Sequence, residues 1–310
     1  MNKMTKLTPI AATLALALVT STAQADDKLT VGGFIDMSYV STDYDGASSE
    51  SVSGVDQVEF NIGYDFGNKL TATVDVEYKN STDGANVEQA YLSYAVSDNL
   101  SIKAGRFLSY SGWETEEPTG LFQYSGTGYA KYFYGYYQQG VSALYSGEKF
   151  AVAVSVVNDL AGPQSTDTEH PGIETMVAFM PTENFTVKGF YSVDGDTTML
   201  NTWAAYSVDS LTLAAEYNSS EDTAGAGSEA DGYLLMANYG FESGLALTVR
   251  YHAFEVEDSV GTLLEDASAI TISPSYAIND NLLIVTEYRM NSDEIFGDSD
   301  MIAVEALVTF

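Results

Sequence analysis

Cysteine is absent from all 310 residues, which excludes disulfides and thiolate chemistry. Long apolar runs are absent as well. No segment reaches the ~18 consecutive apolar residues of a membrane-crossing helix. Basic residues are scarce: 12 Lys and Arg stand against 44 Asp and Glu, a formal net charge of −32. A phosphate backbone requires a basic footprint, so nucleic acid is excluded as a partner. An exported chain without disulfides needs another source of stability, and a large closed sheet would supply one.

The first residues read as a secretory leader. Lys3 and Lys6 give a positive start, Ile10 to Val19 is a short apolar run, and Ala23-Gln24-Ala25 is a small-x-small cleavage site. A signal peptide over 1–25 is expected, with a single domain over 26–310. Without the two leader lysines, 10 basic residues face 44 acidic ones, a charge of −34. Such acidity suits solubility or a salty habitat; it equally suits a surface and lumen that favour cations.

What the chain has in abundance is alternation. Val58, Phe60, Ile62, Tyr64 and Phe66 face away from Gln57, Glu59, Asn61 and Asp65; Leu70, Ala72, Val74, Val76 and Tyr78 oppose Thr71, Thr73, Asp75, Glu77 and Lys79. A period of two over such lengths is the signature of strands with one greasy and one wet face. Seven short polar turns each precede an apolar strand start, at 67–69, 97–99, 147–149, 182–184, 209–210, 242–244 and 279–281. Eight longer polar segments lie between them, near 42–54, 80–86, 111–135, 160–171, 194–198, 219–231, 257–266 and 292–298. Fifteen connections give sixteen strands, or fourteen or eighteen if one hairpin is misread. The segments 87–96, 199–207 and 267–277 have less tidy patterns, and Pro274 removes one ladder hydrogen bond.

Alternation alone fits a soluble secreted β protein too. The recurrence of apolar faces in every hairpin favours an all-β transmembrane antiparallel barrel, with short periplasmic turns and long extracellular loops. So do the tyrosines at their ends: Tyr39, Tyr64, Tyr78, Tyr94, Tyr145, Tyr191, Tyr217, Tyr251 and Tyr288. Sixteen strands enclose an aqueous channel.

The last strand carries Ile302, Val304, Ala306, Val308 and Phe310 on one face. Its terminal aromatic resembles the signature that the assembly machinery of bacterial outer-membrane proteins recognises. A second resemblance covers roughly 87–146. Gln89-Ala90-Tyr91, Ala104-Gly105-Arg106-Phe107, Gly112-Trp113-Glu114, Tyr124-Ser125 and Gly140-Val141 followed by Tyr145 resemble the bacterial outer-membrane porins of the beta-barrel porin type 2 family. That resemblance implies a channel for small hydrophilic solutes and ions, a homotrimer in outer-membrane lipid, and no cofactor. It also implies that the third loop, about 111–135, folds inward and brings Glu114, Glu116 and Glu117 to the constriction. Three carboxylates there would set a transverse field across a narrow gap.

Parity counted from the turns puts Lys79, Lys103, Lys188, Arg250 and Arg289 on the inner wall, with the acids Asp75, Glu77, Glu216 and Glu287. A basic side chain facing lipid costs ~2–4 kcal/mol at the midplane, so inward placement is expected whatever the function. These cations either face the loop acids or simply neutralise wall acids. Arg106 falls on the outer parity and calls for a bulge or a position above the membrane. The aromatics Tyr129, Tyr132, Phe133, Tyr134, Tyr136 and Tyr137 fit girdle and loop packing, a subunit interface, or a stacking track for sugars.

Nothing points to catalysis or to a bound metal. His170 lies in the fourth loop and His252 faces inward, with no nucleophile motif nearby. Asp43, Asp45, Asp194 and Asp196 form no complete calcium loop and read as solvated acids. The expected function is a passive, cation-preferring channel. The alternative is an adhesive or structural barrel with little conductance.

Overall fold

The computed structural model describes residues 28–310 apart from 115, 161–164 and 167. The leader expected over 1–25 lies outside the described residues. Sixteen antiparallel strands follow one another around a closed barrel. They are β1 (Leu29–Tyr44), β2 (Glu50–Gly67), β3 (Leu70–Lys79), β4 (Gly84–Ala95), β5 (Leu100–Leu108), β6 (Tyr137–Ser146), β7 (Phe150–Val157) and β8 (Gly172–Thr182). The second half comprises β9 (Phe185–Asp194), β10 (Thr197–Val208), β11 (Leu211–Glu221), β12 (Glu229–Gly240), β13 (Leu245–Glu257), β14 (Leu263–Asn279), β15 (Leu282–Asp293) and β16 (Ser299–Thr309). The strand count and the alternation of short turns and long loops agree with the sequence.

Closure is made by β1 against β16, in register from Phe34↔Thr309 to Tyr44↔Ser299. Every strand therefore has two neighbours and no backbone edge is left open, the condition for crossing hydrocarbon. The faces are inverted relative to a soluble protein. On β7, Val152, Val154 and Val156 are exposed while Ala151, Ala153 and Ser155 are buried. Exposed Phe60, Leu200, Leu213, Leu235, Ile270, Ile272 and Ile302 continue this belt around the outside. In water such a belt would be a large exposed apolar patch; in lipid it is the solvent-matched surface. Tyr145 stacked on Phe150 (5.5 Å) and Tyr239 edge-on to Phe241 (4.9 Å) sit beside short turns, where aromatic girdles belong.

The untidy stretches have local causes. Between β3 and β4 the register jumps from Asp75↔Gln89 to Val76↔Val87, so Glu88 is an inserted bulge residue. Glu88 and Gln89 then both turn inward, onto Lys79 and Asp75 respectively. A similar shift between β1 and β2 inserts Asp56. Arg106 itself keeps the outer parity, near the end of β5, opposite Ala90 and Gln139.

At Pro274 the β14–β15 ladder is interrupted between Ile272↔Tyr288 and Ser275↔Val285. The hydroxyl of Ser273 donates to the Thr286 carbonyl (2.8 Å), taking the place of the N–H that proline lacks. Ser273→Ala should therefore destabilise the barrel by about 1–3 kcal/mol, since the Thr286 carbonyl loses the donor that a fully buried serine supplies. The midpoint of heat-induced unfolding in detergent, read on unboiled gels, checks this. An unchanged midpoint would mean the carbonyl finds another donor.

Candidate functional site: a loop folded into the lumen

Between β5 and β6 the chain does not return over the rim. The described residues of 109–136 turn into the barrel, with a 3₁₀ turn at Pro118–Gly120 and one short α-helix, α1 (Ala130–Phe133). Polar inner-wall side chains take up the backbone groups that this irregular loop leaves unpaired. Glu174 accepts from Ser109 Oγ (2.8 Å), Gln138 Nε2 (2.6 Å) and the Tyr110 amide (3.3 Å). Asn201 accepts from the Gly112 amide at 3.1 Å. Glu216 accepts from the Trp113 amide (2.7 Å), Tyr129 OH (2.7 Å), Asn201 Nδ2 (2.6 Å) and Tyr134 OH. Glu287 accepts from the amide and hydroxyl of Ser125.

Apolar packing holds the same loop. Trp113, Tyr129, Phe133 and Tyr134 bury against Trp203, Leu234, Met236, Phe254 and Val256 on β10, β12 and β13. Gly232 leaves the space for this: a Cβ there would sit 2.7 Å from the Phe133 ring. Tyr129, Phe133 and Tyr134 are thus loop-packing residues. Tyr132 and Lys131 instead reach Glu265, at 2.6 and 2.9 Å.

Glu114, Glu116 and Glu117 all enter the lumen, but in three environments. Glu114 is paired with Arg250 at 2.5 Å and also accepts from Gln123 Nε2 (2.9 Å) and the Thr127 amide (2.8 Å). Both groups of that pair are buried, so this carboxylate meets its cation directly rather than across a gap. Arg250 and Arg289 donate further to the carbonyls of Ser125 (2.6 Å) and Gly126 (2.7 Å) respectively, so both guanidinium groups also hold the loop backbone. Glu116 lies 3.8 Å from Lys79 and is half-buried; burial raises its pKa and the nearby lysine offsets this. Glu117 accepts from Tyr137 OH (2.6 Å) and Gln57 Nε2 (3.2 Å). Burial, then the adjacent Glu59, push its carboxyl up to about 8.

Lys103 and Lys188 form no ion pair within 4 Å among the described residues. Their ammonium groups lie over Phe107 (4.2 Å), Tyr110 (4.3 Å) and Trp203 (5.5 Å). A cavity of about 350 Å³ opens beside Lys188, lined also by Trp113, Glu116, Tyr136 and Trp203 among others. His252 packs against Tyr129 (5.8 Å) and lies 3.3 Å from Arg289.

Wall acids continue well beyond those that sequence parity singles out. Glu305 on β16, Asp36 on β1, Asp56 and Glu59 on β2, Asp75 and Glu77 on β3, and Glu88 on β4 form a sector five strands wide. Lys79 is the only basic residue on those five strands. Parity finds Asp36, Glu59 and Glu305 once the strands are fixed. It misses Asp56 and Glu88, because each sits in a bulge. The lumen is therefore divided: an apolar sector carries loop 109–136, and an acidic sector lies across from it.

Residues 39–310 match the family described as "Putative beta-barrel porin-2, OmpL-like". No curated protein matches the chain. Among solved structures it is similar to OmpF of Salmonella typhi, determined in complex with daunomycin, with a TM-score of 0.72 at 18% identity over 91% of this chain and 97% of that one. It is also similar to an anion-selective porin from Comamonas acidovorans (TM-score 0.70, 13% identity, 91% and 99% covered). The third is the trimer form of OmpT of Vibrio cholerae (TM-score 0.66, 13% identity, 92% and 100% covered). At these identities the likeness establishes the sixteen-stranded fold, while the match across nearly the whole barrel establishes kinship: the chain belongs to the OmpL-like family of type 2 beta-barrel porins, bacterial outer-membrane proteins.

Proposed function

We propose that this porin conducts small hydrophilic solutes passively and prefers cations. The observation that carries the reading is the acidic sector from β16 through β4, where seven carboxylates share one lysine. The other luminal cations do not sit in it: Arg250 is paired with Glu114, and Lys103, Lys188 and Arg289 belong to β5, β9 and β15. The resulting potential attracts cations and repels anions along that wall. Fold alone does not set the sign, since a porin of the same fold is anion-selective. Charge on the inner wall must do so.

The barrel is further proposed to work as a homotrimer, as one similar structure is described. It would reach the outer membrane through a cleaved leader over 1–25 and recognition of Phe310 by the assembly machinery. Proteoliposomes loaded with a pH-neutral osmolyte test the transport reading. Size-matched cationic and anionic amino-acid derivatives should enter at rates differing several-fold, the cation faster. Equal rates would remove the charge preference, and no entry of either would remove the channel. The second reading, a structural or adhesive barrel with little conductance, is favoured by one feature. Loop 109–136 touches both sides of the lumen, at Gln57 and Ser38 as well as at Thr248 and Glu216.

A further inference from the structure

We propose that the lumen holds a calcium-type divalent cation between Glu59, Glu88 and Glu117, clamping loop 109–136 to the barrel wall. The three carboxylates come from β2, the β4 bulge and the loop, remote from one another in sequence. Each offers an oxygen, and these oxygens all lie within 4.8 Å of one another. A triangle with edges of at most 4.8 Å has its centre no more than about 2.8 Å from each corner, which admits the 2.3–2.6 Å of calcium–oxygen bonds. Calcium also accepts irregular all-protein carboxylate sets, whereas magnesium demands near-ideal octahedral geometry and keeps several waters.

The second observation is an orphan. Glu88 is 1% exposed, and its Oε2 has no hydrogen-bond partner. Every other oxygen of the trio has a donor. Asn61 and Gln57 serve Glu59, Tyr137 and Gln57 serve Glu117, and Lys79 serves Glu88 Oε1 at 3.1 Å. A buried carboxylate oxygen without a donor is costly, and a hard cation is the ligand that such an oxygen satisfies. The orphan is not an accident of parity, because the bulge at Glu88 is what turns this side chain inward.

Charge argues the same way. Lys79 also lies 2.9 Å from Glu77 and 3.8 Å from Glu116, so one ammonium is shared among Glu77, Glu88 and Glu116, and no lysine or arginine pairs with Glu59 within 4 Å among the described residues. A divalent ion offsets the mutual repulsion of the three carboxylates and ties the loop to two strands at once. This clamp acts whether or not the barrel conducts, so it does not rest on the transport reading. Sequence gives no hint of it, because the ligands at 59, 88 and 117 meet only after the barrel closes and the loop folds in.

The test uses the whole barrel in detergent, stripped with EDTA and titrated with Tb³⁺ under tyrosine excitation; Tyr137 lies within hydrogen-bond distance of Glu117. A saturable phase of one equivalent should appear, and Ca²⁺ should displace it. Glu88→Gln and Glu117→Gln should each weaken it at least tenfold, while Asp43→Asn, at the far end of β1, leaves it unchanged. Glu117 is off the strands, so Glu117→Gln keeps the barrel intact. Ca²⁺ should raise the unfolding midpoint of the unaltered protein and not that of Glu117→Gln. The proposal is overturned if no saturable phase appears, if the phase survives in both variants, or if Ca²⁺ leaves the unaltered protein's midpoint where it was. The last result would mean that the trio shares protons instead. A silent channel with this phase intact would remove the transport reading alone.

Discussion

Glu216→Ala should release the inward loop and lower the barrel's stability by about 3–5 kcal/mol, the range for removing one partner of a buried charged network. Four donors converge on this carboxylate: the Trp113 amide, Asn201 Nδ2, Tyr129 OH and Tyr134 OH. Glu216 is 4% exposed, so water does not replace it. Each abandoned donor costs about 1–3 kcal/mol if it stays buried, and the loop lowers that cost by moving. Movement unpacks Trp113 from Trp203, which meet edge-on at 5.3 Å. The expected result is a lower heat-modification midpoint together with new protease cleavage within 109–136. Wild-type-like cleavage and midpoint would show that the aromatic cluster alone secures the loop. Glu216→Gln separates acceptor from charge. Its amide oxygen still accepts while its NH₂ faces donors, so an intermediate effect is expected.

The second large effect concerns selectivity. Asp36→Asn, Asp75→Asn and Glu305→Gln together should move the permeability ratio of K⁺ over Cl⁻ tenfold or more toward unity. These three carboxylates belong to the acidic sector but not to the proposed cation site, so the two ideas are tested apart. A unit charge ~5 Å from a permeating ion acts with roughly 0.8 kcal/mol in water, and more where the wall lowers the local dielectric. Even one such charge acts with opposite sign on K⁺ and Cl⁻, so it changes their ratio by roughly 1.6 kcal/mol, about one decade. The same preference should shrink at 1 M salt, where the screening length is ~3 Å. A ratio unmoved by the triple substitution would place the selective charge elsewhere, with Glu116 the next candidate.

Much of this architecture could be read from the residue order, because a period of two is a strict code. Once Leu70 begins β3, Asp75, Glu77 and Lys79 point inward without further information, and the same counting places Lys103, Lys188, Glu216, Arg250, Glu287 and Arg289. Parity fails where the ladder is irregular. Glu88 and Asp56 sit in bulges, which arise from pairing between two strands and leave no mark on either strand alone. The three-dimensional path of the loop was less accessible still. Trp113, Tyr129, Phe133 and Tyr134 stand out as aromatic, but their partners Trp203, Leu234 and Phe254 lie about 70 to 140 residues further along. An apolar patch on an inner wall looks like any other alternation until something is seen to cover it. For the same reason the sequence places Glu114 and Arg250 across a gap, whereas the folded loop brings them into contact.

A single-channel recording of the unaltered protein in a planar bilayer under a KCl gradient tests the central claim, that charge on the acidic sector governs passage through the lumen. Stepwise openings with a reversal potential of cation-selective sign are predicted. Openings with anion-selective sign, or a membrane that stays silent with correctly inserted barrels, would contradict it.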